Sequence, residues 1–279
     1  MAEKQSPAQQ PLDVHAEGWS VLHMYYRIDR ALWSSLEEKE QEDGLEEFMS
    51  LLVAAEQEED LQVVAQGVVG KSDFGLVIVH PKIERVQRFT QEVAATMLGA
   101  CFETTYSYLS LSEVSEYQTS TGDFARKLID EEGLSPDTEE FQKKLGAFSE
   151  RMEHYAAARL YPQLPGKDMP VICFYPMSKQ RGDSYNWYAL SLAERKRLMG
   201  EHATSGRRYA GRIQQLVTSS TGIDDWEWGV TLFSKDLKAI RDIVYELRYD
   251  EGSTFYGLFG DFYIGVRIEP LDLAKALQL

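Results

Sequence analysis

Apolar positions along this chain recur with two spacings, every second residue and every third or fourth, in alternating blocks. Positions 19–28 are rich in aromatic and branched side chains (Trp19, Val21, Tyr25, Tyr26, Ile28), which predicts a strand. Over 34–58, Leu36, Leu45, Phe48, Leu51, Leu52 and Ala55 fall at helical spacing, with acids on the other faces. Positions 61–69 and 74–80 predict two strands, joined by the hairpin-type turn Gly70-Lys71-Ser72-Asp73. Pro81 stands where a helix over 83–98 can start, and 104–112 alternates again as a strand. The order βαββαβ then repeats. A strand at 171–179 precedes a helix at 191–209, with Ser191 as N-cap and Glu194 three residues on. Strands at 213–219 and 226–234, a helix at 235–248 and a strand at 262–268 complete it. The repetition predicts an α+β fold of tandem duplicated ferredoxin-like units, whose two sheets curve together into a dimeric α+β barrel. The expected organisation is a flexible N-terminal arm (1–16), an N-terminal unit (17–117), a helical linker insertion (118–158) and a C-terminal unit (159–279).

With 279 residues, 43% of them hydrophobic, the chain can bury a sizeable core. Lys and Arg number 29 against 45 Asp and Glu, a formal net charge of −16. No basic stripe is visible, so nucleic acid and anionic membrane surfaces are disfavoured as partners. Two cysteines, Cys101 and Cys173, cannot make a disulfide framework, and no CxxC occurs; both facts fit a reducing compartment. The polar N-terminus lacks a signal-like apolar region, and no apolar run approaches the roughly 20 residues of a membrane span. A soluble, cytoplasmic protein is expected.

Three segments carry candidate chemistry. In the strand 171–179, Ile172 and Phe174 share one face and are expected to pack under helices. Cys173, Tyr175, Met177 and Lys179 share the other, which lines up a phenol, a thioether and an ammonium. On alternation alone such a pattern is more often an ordinary, partly wet strand face, since a buried tyrosine usually just finds a hydrogen-bond partner. Pro176 predicts a bend or a sheet edge. On the helix 191–209, His202 shares a face with Arg195, Leu198, Met199 and Tyr209. A lone histidine so placed is more often a core residue than a ligand. His15, His23, His80 and His154 add no metal-binding spacing. A single axial histidine nevertheless suffices for haem iron, because the porphyrin supplies the other four nitrogens. Gln215, between Ile213 and Val217 on one strand face, is either a sheet-edge amide or a group facing a cavity. Phosphate-loop, nucleophile-elbow and dinucleotide motifs are absent.

Several runs together resemble the chlorite dismutase-like superfamily, and within it the coproheme decarboxylases. They are FYPMSK at 174–179, NWY at 186–188, EH at 201–202, GRRYAG at 206–211, EWGVTLF at 227–233, YELRYDE at 245–251 and FGDFYIG at 259–265. The family fold is a tandem of ferredoxin-like units, usually assembled as a homopentamer, in agreement with the duplication. By resemblance, His202 is the iron ligand, Tyr175 the radical-forming tyrosine, and Lys179 the lysine beside a reacting propionate. Met177 and Trp187 would line the porphyrin. Arg159, Arg248 and Ser253 would bind propionates, and Gln215 would occupy the distal position. The substrate and cofactor would be iron-coproporphyrin III and the product haem b, with hydrogen peroxide as oxidant and coproporphyrin ferrochelatase as delivering partner. True chlorite dismutases carry arginine where this chain has Gln215, and a neutral amide cannot supply that charge. The alternatives are a chlorite dismutase or haem peroxidase on the same fold, or a non-catalytic haem-binding protein.

Overall fold

The computed structural model describes residues 18–279, so the expected arm at 1–16 lies outside the described residues. The N-terminal unit runs β1 (Ser20–Ile28), α1 (Arg30–Ser35), α2 (Glu38–Gln57), β2 (Gln62–Val68), β3 (Phe74–His80), α3 (Ile83–Ala95) and β4 (Phe102–Ser112). Two helices follow, α4 (Thr121–Asp130) and α5 (Glu139–Leu160). The C-terminal unit runs β5 (Val171–Lys179), α6 (Leu192–Arg207), β6 (Ile213–Ser219), β7 (Trp228–Ser234), α7 (Leu237–Leu247), α8 (Glu251–Thr254), β8 (Gly257–Phe259) and β9 (Tyr263–Ile268).

The strands form one antiparallel sheet in the order β7-β6-β4-β1-β3-β2-β9-β5-β8, and a further β5–β7 pairing closes it into a barrel. The units are joined by β2–β9 and by only two β4–β6 residue pairs, Leu111↔Ser219 and Ser112↔Thr218. The helix expected over 34–58 is α2, and a separate short helix, α1, precedes it. Leu36 is extended and caps α1 through its N–H to Trp33, and the Glu40 carboxylate then reaches back to the Glu37 N–H at 2.8 Å to start α2. Helices α4 and α5 make up the helical segment expected over 118–158, and Ser120 caps α4 by accepting from the Asp123 N–H at 3.0 Å. Helix α6 begins as read, with Ser191 accepting from the Glu194 N–H at 3.2 Å.

Barrel closure gives the sheet two enclosed faces, and this reverses one expectation. Ile172 and Phe174 do not lie under helices; they point into the lumen. There Ile172 packs with Val21, Val77, Val79 and Phe233, and Phe174 with Tyr25, Tyr108 and Tyr263. Cys173 and Tyr175 take the helix side, against Ile240 and Ile243 of α7. An open sheet would have buried its most apolar strand positions under helices; in a barrel the lumen takes them. Pro176 is no edge residue. It sits where β5 changes neighbour from β9 to β8, and its carbonyl accepts from Gly260 at 2.9 Å on that side, so its missing N–H disrupts no ladder.

Candidate active site on the helix side of the C-terminal sheet

Tyr175 is 6% exposed and stacks on Phe262 with ring centroids 4.4 Å apart. Burial holds its phenol well above the usual pKa; the nearby Cys173 adds to this, and the positive charge of Arg248 opposes it. The group is therefore a neutral O–H at any physiological pH, with an arginine close by. Met177, one pleat further on, is half-buried beside it.

Lys179 ends the same strand face and is 7% exposed. Its Nζ lies 4.2 Å from the centroid of the Trp187 ring and donates to the Gly252 carbonyl at 3.3 Å. Burial lowers its pKa to about 8, while the Glu227 carboxylate resists that shift. Glu227 is itself buried and anchors the strand end: it accepts from the Lys179 N–H and from the Arg181 guanidinium, both at 2.8 Å. Trp187 is wholly buried, so it supports the site from behind Lys179 and has no exposed face of its own.

His202 is 34% exposed on α6, and its Nδ1 lies 3.2 Å from the Asp250 Oδ2. Ser205 holds the other Asp250 oxygen at 3.0 Å. A carboxylate on one ring nitrogen orients the imidazole and leaves Nε2 for a metal. Burial and the Lys179 charge lower the His202 pKa, and Asp250 opposes them, so the ring favours its neutral, ligating form. Among the described residues no three His, Cys, Asp or Glu side chains converge on a metal site. His202 would thus be a sole protein ligand, which suits a porphyrin iron. The segment after α7 supplies a partner to each of the three: Arg248 to Tyr175, Asp250 to His202 and Gly252 to Lys179, with Ser253 next in the chain.

Gln215 is exposed on β6, below the last turn of α6: a Cβ added at Gly206 would meet its Nε2 at 3.9 Å. With Arg159 and Gln214 it lines a cleft of about 180 Å³ between β6 and residues 158–164, beside the short β4–β6 pairing. The Arg159 Nε is buried with no hydrogen-bond partner. The structure therefore brings Tyr175, Met177, Lys179, Trp187, His202 and Arg248 together on the helix side of β5, with Ser253 in the segment after α7, while Arg159 and Gln215 line the cleft at β6. Asp250 and Glu227 were missed as individual residues. Both stand inside the runs YELRYDE and EWGVTLF, but a carboxylate in a motif does not announce which side chain it will face.

The profile of a family described as chlorite dismutase matches residues 41–268. The chain belongs to the chlorite dismutase family. A putative heme-binding protein of Haloquadratum walsbyi is 38% identical over 94% of this chain and 46% of its own length. One of Natronomonas pharaonis is 35% identical over 96% of this chain and 42% of its own. The chain thus spans about half the length of these curated relatives. Among solved structures, a heme-binding protein from Thermus thermophilus superposes with a TM-score of 0.78 at 31% identity, covering 97% of this chain and 99% of that one. Chlorite dismutase from Candidatus Nitrospira defluvii, in complex with imidazole, gives 0.70 at 16% identity over 95% and 97%, which shows the shared fold. No helix among the described residues is long and apolar enough to cross a membrane.

Proposed function

We propose that this chain binds an iron porphyrin through His202 and acts as a coproheme decarboxylase, converting iron-coproporphyrin III to haem b with hydrogen peroxide. One observation carries the reading: a buried, neutral Tyr175 stands on the same strand face as a buried Lys179, with a metal-ready His202 on the helix opposite. A pure haem carrier needs no oxidisable phenol there. The relatives named as heme-binding proteins and the unpartnered Arg159 Nε in a cleft support a ligand bearing carboxylates.

Coproheme would be held by His202 as both substrate and source of the redox chemistry, with peroxide as the two-electron oxidant. Tyr175 donates its phenolic hydrogen, electron and proton together, and then recovers a hydrogen atom from the β-carbon of a propionate. Carbon dioxide leaves as the vinyl forms, and the electron released in that step would pass to the peroxide-oxidised iron porphyrin. Each round consumes one peroxide and one proton and releases one carbon dioxide and two waters. Two rounds convert two propionates. Lys179, Arg159 and Arg248 hold carboxylates, Ser253 adds a hydroxyl, and Met177 packs on the macrocycle. Trp187 holds Lys179 in place. Gln215 offers an uncharged amide on the distal side, and that disfavours chlorite, whose developing oxyanion needs a cation. Assembly as a homopentamer, cytoplasmic residence and delivery of substrate by a ferrochelatase belong to the same proposal. The test is to load the purified protein with coproheme, add peroxide and analyse the porphyrins. Haem b and a three-propionate intermediate support the reading. Oxygen release from chlorite without haem b would favour the dismutase alternative, and coproheme binding with no product would favour a carrier.

A further inference from the structure

Wholly buried Trp187 donates its indole N–H to the Tyr117 phenol oxygen at 3.1 Å, 70 residues earlier in the chain. Tyr117 lies between β4 and α4, outside the C-terminal unit. The two rings meet edge to face, 5.8 Å apart at 84°, and Tyr256 presses on the indole from a third side at 5.5 Å and 62°. The face left over carries the Lys179 ammonium at 4.2 Å. A lysine side chain has four rotatable bonds, and Gly252 restrains this one at a single 3.3 Å contact. The plane of Trp187 therefore decides where the ammonium rests, and the Tyr117 oxygen fixes that plane. The same segment is pinned to α6, the helix of His202, because Asp123 of α4 pairs with Lys196 at 3.1 Å.

We infer that Tyr117 is a positioning residue of the active site: by accepting the Trp187 indole N–H it sets the ring that holds Lys179. The segment linking the two units thereby belongs to the site. The catalytic consequence rests on the proposed function; the positioning itself does not.

Tyr117→Phe removes one oxygen and keeps the ring. In porphyrin-free protein, the Trp187 indole resonance, assigned by its loss in Trp187→Phe, is expected to move in Tyr117→Phe while the other tryptophan signals hold. With coproheme and peroxide, kcat is expected to fall roughly fivefold to tenfold, about the worth of one hydrogen bond, with KM for coproheme changed less than about twofold. Trp187→Phe should lower kcat at least as far, and adding Tyr117→Phe to it should cost nothing more. An unmoved indole resonance, or losses that multiply in the double variant, would overturn the inference. Should wild-type protein form no haem b, the proposed function fails, and the indole resonance alone decides the role of Tyr117.

Discussion

In the N-terminal unit Val63 of β2 stands opposite Ile78 of β3; in the C-terminal unit the same register position on β6 is Gln215, opposite Leu232 of β7. Met24 of β1 stands opposite Leu76, and its counterpart on β5 is Tyr175, opposite Val230. Val63 and Met24 pack against a closed core built on Phe48, Phe74, Phe89 and Leu98 between sheet and helices. At the matching places the C-terminal unit has an exposed amide and a buried phenol, and its helix α6 offers His202. One architecture thus occurs twice, with apolar side chains at these two places in the N-terminal unit and polar ones in the C-terminal unit. Filling contributes roughly 25 cal/mol for each Å² of apolar surface removed from water, and the C-terminal unit forgoes part of that at the exposed Gln215.

The contrast breaks most sharply at Tyr175. Tyr175→Phe restores an apolar side chain at this position. Coproheme affinity should hold, and stability should change by no more than ~1 kcal/mol. Haem b formation should drop by about two orders of magnitude or more, because phenylalanine has no O–H to give. Product analysis after peroxide addition measures this, and a normal yield at a normal rate would end the radical role of Tyr175.

Next comes His202→Ala. The carboxylate contacts remain, so coproheme should still bind, weakened about tenfold. The absorption spectrum of a histidine-ligated iron should disappear; its persistence would show that another residue is the ligand.

Lys179 should give a pH-dependent effect. Its pKa falls from 10.5 to about 8 in the fold, so the ammonium is present below about 8 and is lost as pH rises through it. Coproheme affinity should therefore decline between roughly pH 7 and 9.5 in wild-type protein, and Lys179→Met should be weaker at about pH 7 and flat across that window. On stability the sign is opposite. Between about 8 and 10.5 the unfolded chain binds the proton more readily than the fold does, so this group adds stability as pH rises there. An unchanged slope in the methionine variant would remove Lys179 from carboxylate binding.

The smallest effects come from exchanging the paired positions themselves. Val63→Gln puts an amide into the packed unit and should cost about 1–2 kcal/mol in denaturant unfolding. Gln215→Val should cost less than ~0.5 kcal/mol, since the side chain is exposed, and should leave decarboxylation largely intact. Equal costs at the two positions would mean that the units are filled alike; abolished decarboxylation in Gln215→Val would give the amide an essential role.

Much of this was legible in the residue order. Alternation and helical spacing set the strands and most helices of both units, and Ser191 marked the start of α6. The tandem order implied a barrel, and the motif runs pointed to the residues that now stand around His202. What the sequence left open came from pairings across long separations. The break at Leu36 depends on whether a polar carboxylate folds back onto the chain. The direction of Ile172 and Phe174 depended on barrel closure, because a two-residue period tells which side chains share a face but never which face is inside. Asp250 meets His202, Glu227 meets Lys179, and Tyr117 meets Trp187 only once the sheet has curled and the helices have docked. Local patterns report the chemistry each residue carries and the element that carries it. Contacts between elements far apart in the chain are set by the three-dimensional closure of the barrel, which no local period encodes.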